Sequence, residues 1–293
     1  MPRIPHSTGD LLAVVAPSGP VPQERYARGV ALLRERGFLV RDAGVLAPPH
    51  RFLAAPDATR AAALTAAFAA PDVAAIFAAR GGYGAMRILP SLDLASFVAS
   101  GKPLVGFSDV TALHLALAAH GGRSVHGPVV TRLAEEPAAS VERLFSLLAG
   151  ELPAPIAGRV VVPGEATGRL VGGCLSLVAA LVGTPYLPDL TGCVLLLEEI
   201  DERPYRLDRL WTQLRLAGVL DGLAGVALGQ LVGCDEPEGI RASELFDELL
   251  GELGKPAIAG LPIGHGDVNL AVPHGARVRL ADGALSFLEG LFP

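Results

Sequence analysis

Short apolar runs alternate with segments of helical periodicity through residues 1–131, and this alternation constrains the fold more than any other feature. The runs contain few polar residues, which is typical of strands covered on both faces. Strands of this kind separated by helices indicate a parallel sheet between helical layers. The runs lie at 11–16, 38–41, 73–78 and 104–107, with helical patterns at 25–37, 55–70 and 110–119.

The character of the chain changes twice after this region. Residues 132–167 are weakly patterned and rich in Pro, so we predict a connection that contains one helix. Residues 168–293 have more Gly and Val and shorter strands, and the clearest runs are 194–197, 225–231 and 276–280. We therefore predict an α/β protein with a flavodoxin- or Rossmann-like N-terminal domain (1–131), a connection (132–167) and a smaller, barrel-like β-rich C-terminal domain (168–293).

Composition excludes several functions. The net charge is −6 with a pI near 5.7, and no run of Lys or Arg could follow a phosphate backbone, so we expect no nucleic-acid partner. No stretch approaches the roughly 20 apolar residues that span a bilayer, so we expect no membrane partner. The first apolar run, 11–16, is too short for a signal peptide, which predicts a cytoplasmic protein.

The metal and disulfide signals are also negative. Cys174, Cys193 and Cys234 are far apart, and no C-x-x-C or H-E-x-x-H motif is present. We expect neither a metal site nor a disulfide framework, and no cofactor.

Ser108 stands where the fourth predicted strand gives way to a helix, in Gly106-Phe-Ser-Asp-Val-Thr111. At such a turn a serine hydroxyl can be exposed next to helix N–H groups that stabilise an oxyanion. The hexapeptide alone fits a helix N-cap better, because Ser is preferred there. The esterase signature G-x-S-x-G is not met, because Val110 replaces its second glycine.

Other chemistry-bearing residues lie at predicted loops. The segment Arg80-Gly-Gly-Tyr-Gly84 follows a buried run, but Arg87 breaks the dinucleotide pattern G-x-G-x-x-G. Glu198 directly follows four apolar residues, so it should be partly buried and need a partner such as histidine. His265 lies in a glycine-rich loop.

Three further histidines and the single tryptophan have simpler predictions. His126 follows a short apolar run and is predicted to line the same cleft as the loop residues above. His274 is predicted to be an exposed turn residue. His114 is predicted to be structural, on a helix among leucines. Trp211 falls in a helical pattern, which predicts a core position.

Taken together, the chain resembles the LD-carboxypeptidases, serine peptidases that include muramoyltetrapeptide carboxypeptidase. The resemblance runs along nearly the whole chain, and six segments follow the family order. One departure is Cys174, where the family often has Asn after Gly-Gly. The segments are Val14–Gly19, Arg80–Gly84, Gly106–Thr111, Gly172–Ser176 with Gly183–Tyr186, Leu197–Tyr205 with Asp208 and Arg209, and Pro262–Gly266 with Asn269, Pro273 and Gly275.

The resemblance implies a catalytic triad of Ser108, Glu198 and His265, in a cleft between the two domains. We expect the oxyanion to be held by the backbone N–H groups of Gly82 and Asp109. The implied substrate is the cytoplasmic murein tetrapeptide, from which terminal D-alanine is released in peptidoglycan recycling. The family also implies a homodimer.

A substrate of this kind carries a free carboxylate, so its binding site needs a cation or an amide. The candidates for substrate binding are Arg80, His126 and Arg209, although either arginine could equally be a structural ion-pair partner.

Two alternatives stay open on the sequence. A microcin-immunity-type peptidase, which cleaves peptidyl or aminoacyl nucleotides, would use the same triad. It would need an aromatic residue to stack on a base, and Trp211 lies in a helical pattern instead. The alternative from another class is a non-enzymatic ligand-binding protein, in which Ser108, Glu198 and His265 would lie apart.

Overall fold

A computed structural model describes residues 9–237 and 239–292. The first eight residues of the predicted N-terminal domain and the last residue of the predicted C-terminal domain lie outside this range. The helices are α1 (Gln23–Glu35), α2 (Asp57–Ala69), α3 (Ala85–Ile88), α4 (Leu94–Ser100), α5 (Thr111–Ala119), α6 (Val130–Leu133), α7 (Ala138–Leu148), α8 (Leu175–Ala180), α9 (Pro204–Leu216) and α10 (Ala242–Leu253).

The strands form two sheets, and short 3-10 turns lie at Leu89–Ser91 and Ser108–Val110. The strands are β1 (Leu11–Val15), β2 (Leu39–Asp42), β3 (Val73–Ala78), β4 (Leu104–Gly106), β5 (Ser124–His126), β6 (Ile156–Ala157), β7 (Arg159–Val162), β8 (Ala166–Cys174), β9 (Val194–Ile200), β10 (Gly225–Val232), β11 (Ala257–Ala259), β12 (Val272–His274), β13 (Arg277–Ala281) and β14 (Ala284–Phe287).

The first sheet has the order β12-β5-β4-β3-β1-β2. Strands β1 to β5 are parallel, and β12 joins the edge antiparallel to β5. All six residues of β3 are buried, because helices cover both faces. The carboxyl ends of β1, β3, β4 and β5 meet at one edge of the sheet, so the loops that follow them converge there.

The second sheet has the order β6-β14-β13-β8-β9-β10-β11-β7 and is nearly closed. Its edge strands β6 and β7 are separated only by Gly158, so one chain segment links the two edges. A Cβ on Gly158 would lie 3.0 Å from the carbonyl oxygen of Ala259, which explains glycine at this corner. The predicted combination of a parallel α/β sheet and a barrel-like β-rich sheet is confirmed.

The two sheets share a core. Buried side chains of α5, such as Leu115, belong to the same apolar cluster as Val171 of β8 and Val178 of α8. Because this cluster is continuous, residues at the ends of β4 and β9 are held at a fixed separation. Within residues 9–237 and 239–292, no helix has the length and apolar character that crossing a bilayer requires.

Candidate active site

Ser108 follows β4 in a strained backbone conformation, with φ of +63°. Only a few per cent of non-glycine residues have positive φ, and such outliers cluster at functional sites. The residue in the N-cap position of the 3-10 turn is Phe107, and no side chain caps this turn. The N-cap interpretation of Ser108 therefore does not describe its role, and its hydroxyl is left available for other contacts.

The segment Arg80–Gly84, which we call the glycine loop, follows β3 and lies directly against Ser108. A Cβ on Gly81 would be 2.8 Å from Cβ and 3.0 Å from Oγ of Ser108. Gly82 has φ of +106° and packs against Gly19, in the loop after β1. No hydrogen bond of the Gly82 N–H is found within the described part of the chain. Glycine at these positions lets backbone approach the serine hydroxyl.

The side chain of Asp109 ties the serine turn to the glycine loop. Its Oδ2 accepts a hydrogen bond of 2.8 Å from the Ala85 N–H. Burial raises the pKa of this carboxyl above its usual value, and the hydrogen bonds it accepts act in the opposite direction. The side chain of Asp109 therefore fixes the backbone around Ser108, and this role is independent of the backbone N–H of Asp109.

Arg60 is a buried cation that sequence reasoning missed. The residue is 2% exposed, and its guanidinium donates to the carbonyl oxygens of Pro17 and Gly84, as well as to Asp57. The loops after β1 and β3 are thus fastened to α2. The sequence feature that could have pointed to Arg60 is a single arginine in an alanine-rich helix, at a position that faces the sheet.

Glu198, on β9, and His265, in the loop between β11 and β12, form a close pair. Nδ1 of His265 lies 2.6 Å from Oε2 of Glu198, whose side chain is 0% exposed. The sequence predicted a partly buried Glu198 with a histidine partner, and the structure buries it completely. A carboxylate oxygen can only accept, so Nδ1 is the donor in this pair, and Nε2 is the ring nitrogen left for another contact.

A glycine next to His265 makes this contact possible. Gly264 has φ of +124°, and a Cβ there would lie 2.7 Å from Oε2 of Glu198. A side chain would therefore occupy the space in which the carboxylate and the imidazole meet.

The Glu198–His265 pair lies beside the serine turn. The rings of Phe107 and His265 are 4.8 Å apart between centroids, and Phe107 immediately precedes Ser108. Farther along the turn, the Cys174 N–H donates to Oγ1 of Thr111 at 3.1 Å. The segment that follows β4 is thus in direct contact with the end of β8 and with the loop that carries His265.

The buried thiol of Cys174, the departure from the family pattern, donates to Glu199 at 3.1 Å. Burial is the largest cause that raises the pKa of this thiol well above its usual value. Cys174 is therefore a structural thiol on this sheet.

His126 is buried beside Glu198, at the end of β5. Its Nε2 lies 3.9 Å from Oε1 of Glu198, and neither side chain is exposed to solvent. Burial acts to raise the pKa of Glu198, but contact with His126 and His265 outweighs it, so this pKa lies below its usual value. Glu198 therefore holds its negative charge at the base of the site.

A buried network anchors the loop that carries His265, and sequence reasoning missed it. Arg132 donates to the Gly266 carbonyl oxygen at 2.6 Å and to Glu136 at 3.2 Å. Glu136 accepts from the Asn269 N–H, and Oδ1 of Asn269 accepts from the Gly264 N–H. The segment predicted as a connection thus fixes the histidine loop.

The two candidate arginines are exposed. Nη1 of Arg80 donates to the Pro20 carbonyl oxygen at 2.7 Å, and the guanidinium of Arg209 lies 5.4 Å from the Tyr205 ring centroid. Within residues 9–237 and 239–292, neither forms a salt bridge with an acidic residue.

One histidine prediction is wrong. His274 is not an exposed turn residue, because it lies in β12, which pairs with β5 and is completely buried. Its Nε2 accepts a hydrogen bond from the Gly172 N–H at 3.0 Å. His114 is structural as predicted, with both ring nitrogens bonded, to Ser124 and Gly106.

Serine-type hydrolases need a nucleophile and a base that a third group orients, and here a strained serine follows Phe107, whose ring contacts the Glu–His pair. Models of the LD-carboxypeptidase N-terminal and C-terminal domains match residues 12–127 and 167–280. The chain belongs to the LD-carboxypeptidase family, and it is a serine-type carboxypeptidase.

Named relatives agree with this assignment. The murein tetrapeptide carboxypeptidase of Pseudomonas aeruginosa is 36% identical over 77% of this chain and 78% of its own length. The probable murein peptide carboxypeptidase of Bacillus subtilis is 32% identical over 93% of this chain and 89% of its own.

Solved structures share the fold. The muramoyltetrapeptide carboxypeptidase of Oxalobacter formigenes has a TM-score of 0.88 and 31% identity, with coverage of 97% of this chain and 99% of its own. The microcin C7 self-immunity protein has a TM-score of 0.91 over 100% of both chains at 21% identity, which shows the fold alone.

Proposed function

We propose that this protein is a serine LD-carboxypeptidase that releases terminal D-alanine from murein tetrapeptide, with Ser108, Glu198 and His265 as its triad. The observation that carries the proposal is the 2.6 Å contact between Nδ1 of His265 and Glu198, beside the strained serine turn. The names of the relatives in Pseudomonas aeruginosa and Oxalobacter formigenes support the substrate class.

The chemistry proposed for these groups is acyl transfer. Oγ of Ser108 attacks the carbonyl carbon of the bond to D-alanine, and Nε2 of His265 takes the hydroxyl proton. The tetrahedral intermediate collapses, His265 returns the proton to the leaving amine, and D-alanine departs. Water then hydrolyses the acyl-enzyme with His265 again as the base, while Glu198 stabilises each imidazolium.

Charge on the tetrahedral oxygen needs donors that are already in place. We propose the N–H groups of Gly82 and Asp109, because the glycine loop and the serine turn are in contact at Gly81. Two such donors pre-oriented in a water-poor site stabilise the oxyanion more than solvent does.

The substrate carboxylate needs a cation at the mouth of the site. Arg80 is proposed first, because it begins the glycine loop and because its side chain, among residues 9–237 and 239–292, bonds a neutral carbonyl oxygen and pairs with no acidic residue. Arg209 is the second candidate, and the predicted substrate contact of His126 stays untested.

The central test is Ser108→Ala. Loss of the nucleophile should lower kcat for D-alanine release at least about 10⁴-fold, as expected for removal of a triad member. Release of D-alanine is measured by chromatography after incubation with L,D-linked tetrapeptide. Thermal unfolding should be unchanged or shifted slightly upward, because the positive φ of Ser108 is equally unfavourable for alanine while one polar group is removed.

The same assay separates the alternative substrate. An aminoacyl nucleotide incubated in parallel should stay intact, because Trp211 is buried against Phe246 and offers no surface for a base. Cleavage of the nucleotide in preference to tetrapeptide would assign the microcin-immunity activity instead. Cleavage of neither would favour a ligand-binding protein.

Three further predictions are also proposals: the oligomeric state, the location and the division into domains. The homodimer is implied by the family, whereas the cytoplasmic location and the division of the chain into 1–131, 132–167 and 168–293 come from the apolar pattern of the sequence. Light scattering of the purified protein tests the homodimer, and limited proteolysis tests the division.

A further inference from the structure

His126 and Glu198 form a buried contact that the proposed triad does not use. Oε2 of Glu198 meets His265, whereas the other oxygen, Oε1, lies 3.9 Å from Nε2 of His126. Both side chains are 0% exposed. In the part of the chain that the structure describes, neither ring nitrogen of His126 nor Oε1 of Glu198 has a hydrogen-bond partner.

Buried polar atoms that lack hydrogen-bond partners are stabilised when a hydrogen bond forms between them. A buried N–H donor and a buried carboxylate oxygen cost free energy when both lack hydrogen-bond partners. A hydrogen bond between these two atoms would remove that cost. At 3.9 Å the pair is too far apart for a hydrogen bond. Catalytic hydrogen bonds are often long in a free enzyme and shorten when the substrate complex forms.

The surrounding titratable groups leave His126 as the available donor. Burial lowers the pKa of His114, on α5, to about 3, and its two ring nitrogens bond Ser124 and Gly106. Burial also lowers the pKa of His274, on β12, well below its usual value, and its Nε2 accepts from Gly172. Within the described part of the chain, His126 and His265 are the histidines that lie within 4.0 Å of a Glu198 oxygen, so His114 and His274 do not compete for this carboxylate.

We propose that His126 is a positioning residue, whose Nε2–H donates to Oε1 of Glu198 in the substrate complex. The carboxylate would then be held between two imidazoles, which fixes its plane and the direction of the His265 ring. Donation to Oε1 also favours the ionised carboxylate at the moment when His265 becomes cationic. This inference rests on the proposed function, because it requires Glu198 to act on His265.

Two substitutions at His126 separate positioning from packing. His126→Leu keeps the side-chain volume but removes the donor, whereas His126→Gln keeps an N–H donor near the position of Nε2. We expect His126→Leu to lower kcat for D-alanine release about 10- to 100-fold with little change in KM, as for a lost hydrogen bond to a charged group. We expect His126→Gln to recover most of kcat.

The orientation of His265 is followed directly by NMR of its Nδ1 proton. Spectra are recorded in the Ser108→Ala background with tetrapeptide bound, so that the complex is not consumed. We expect the downfield signal of the Nδ1–H···Glu198 bond to shift or broaden with His126→Leu and to be kept with His126→Gln. His120→Gln, at the exposed end of α5, is the matched control and should change neither kcat nor this signal.

Three outcomes are distinguishable. Wild-type kcat in a folded His126→Leu protein would overturn the positioning role while leaving Ser108 and the proposed function intact. Equal losses in the Leu and Gln variants, with an unchanged His265 signal, would also overturn it, because that result describes packing alone. Full activity of Ser108→Ala would instead remove the proposed function, and this inference with it.

Discussion

Backbone conformation at single residues sets the geometry of this site. Ser108 and Gly264 both have positive φ, one in the serine turn and one beside His265. The first presents a hydroxyl at the end of β4, and the second brings an imidazole onto a buried carboxylate. Two observations require glycine at position 264. Its φ is positive, and a Cβ there would lie only 2.7 Å from Oε2 of Glu198.

Gly264→Ala tests the close approach of backbone and carboxylate. The methyl group would displace Glu198 or the loop, and a misplacement of about 1 Å costs on the order of 100-fold in rate, so we expect kcat/KM to fall by at least that factor. Kinetics with the tetrapeptide measure the effect.

The matched control is Gly260→Ala, which has φ of +74° but nothing within 4 Å of a Cβ. It should lose stability by about 1 kcal/mol from backbone strain while keeping its activity. Equal activity of the two variants would contradict the steric role assigned to Gly264.

At the scale of elements, the histidine loop depends on a segment that is distant in the sequence. Arg132, at the end of α6, bonds the Gly266 carbonyl oxygen across 134 residues of chain. Glu136 and Asn269 continue the network to the Gly264 N–H. The loop has no regular secondary structure of its own between β11 and β12, so these contacts determine where His265 lies.

Removal of this anchor by Arg132→Met should affect kcat more than KM. The substitution keeps much of the apolar stem but removes two hydrogen bonds, one of them to a charged group, and we expect kcat to fall about 10-fold. Steady-state kinetics separate the two parameters.

Arg28→Met provides the control, because Arg28 is exposed and pairs with Glu135 at the surface. This variant should retain wild-type kinetics, as surface ion pairs contribute little. An unchanged kcat for Arg132→Met would show that the histidine loop holds its position without α6.

At the scale of the whole molecule, the two sheets meet around buried neutral histidines. His114 bonds the β4 carbonyl oxygen of Gly106 and lies 5.4 Å from the His274 ring, on the strand that returns to the first sheet. Protonation would place a positive charge between the two sheets, where the described partners of these rings are Ser124, Gly106 and Gly172 rather than acidic groups. The junction of the sheets is therefore sensitive to acid.

The free energy of unfolding should decrease as the pH falls from about 6.5, the ordinary pKa of histidine, toward 3. His114 has a folded pKa of about 3, so in this window the unfolded chain binds more protons and unfolding becomes easier. A single such group contributes a slope of at most about 1.4 kcal/mol per pH unit. Urea denaturation between pH 4 and pH 7 measures it.

His114→Gln isolates this contribution from that of the carboxylates. The variant should be less stable than wild type at pH 7, and the difference should narrow at pH 4. The exposed His120→Gln should keep the wild-type slope. Parallel pH dependences of wild type and His114→Gln would contradict the acid sensitivity assigned to the junction of the sheets.

Strands, helices and the order of the motifs could be predicted from the sequence. The predicted runs 11–16, 73–78 and 104–107 correspond to β1, β3 and β4 within one residue at each end, because buried strands leave a local apolar signal. Glu198 could be singled out because it abuts such a run. Trp211 could be assigned to the core by helical spacing, and the structure confirms it.

Only the tertiary structure decided which polar groups meet. Arg60 and Arg132 bond partners far along the chain, and His126 lies beside Glu198 although 72 residues separate them in the sequence. His274 was mispredicted because pairing with β5, rather than its own Pro-His-Gly sequence, buries it. Ser108 shows both what the sequence indicates and what it leaves out. Its sequence neighbours suggested a helix cap. Its φ and the approach of Gly81 depend instead on how β3 and β4 lie side by side. Apolar periodicity is a local property that a sequence records, whereas a buried hydrogen bond depends on the coordinates of both partners.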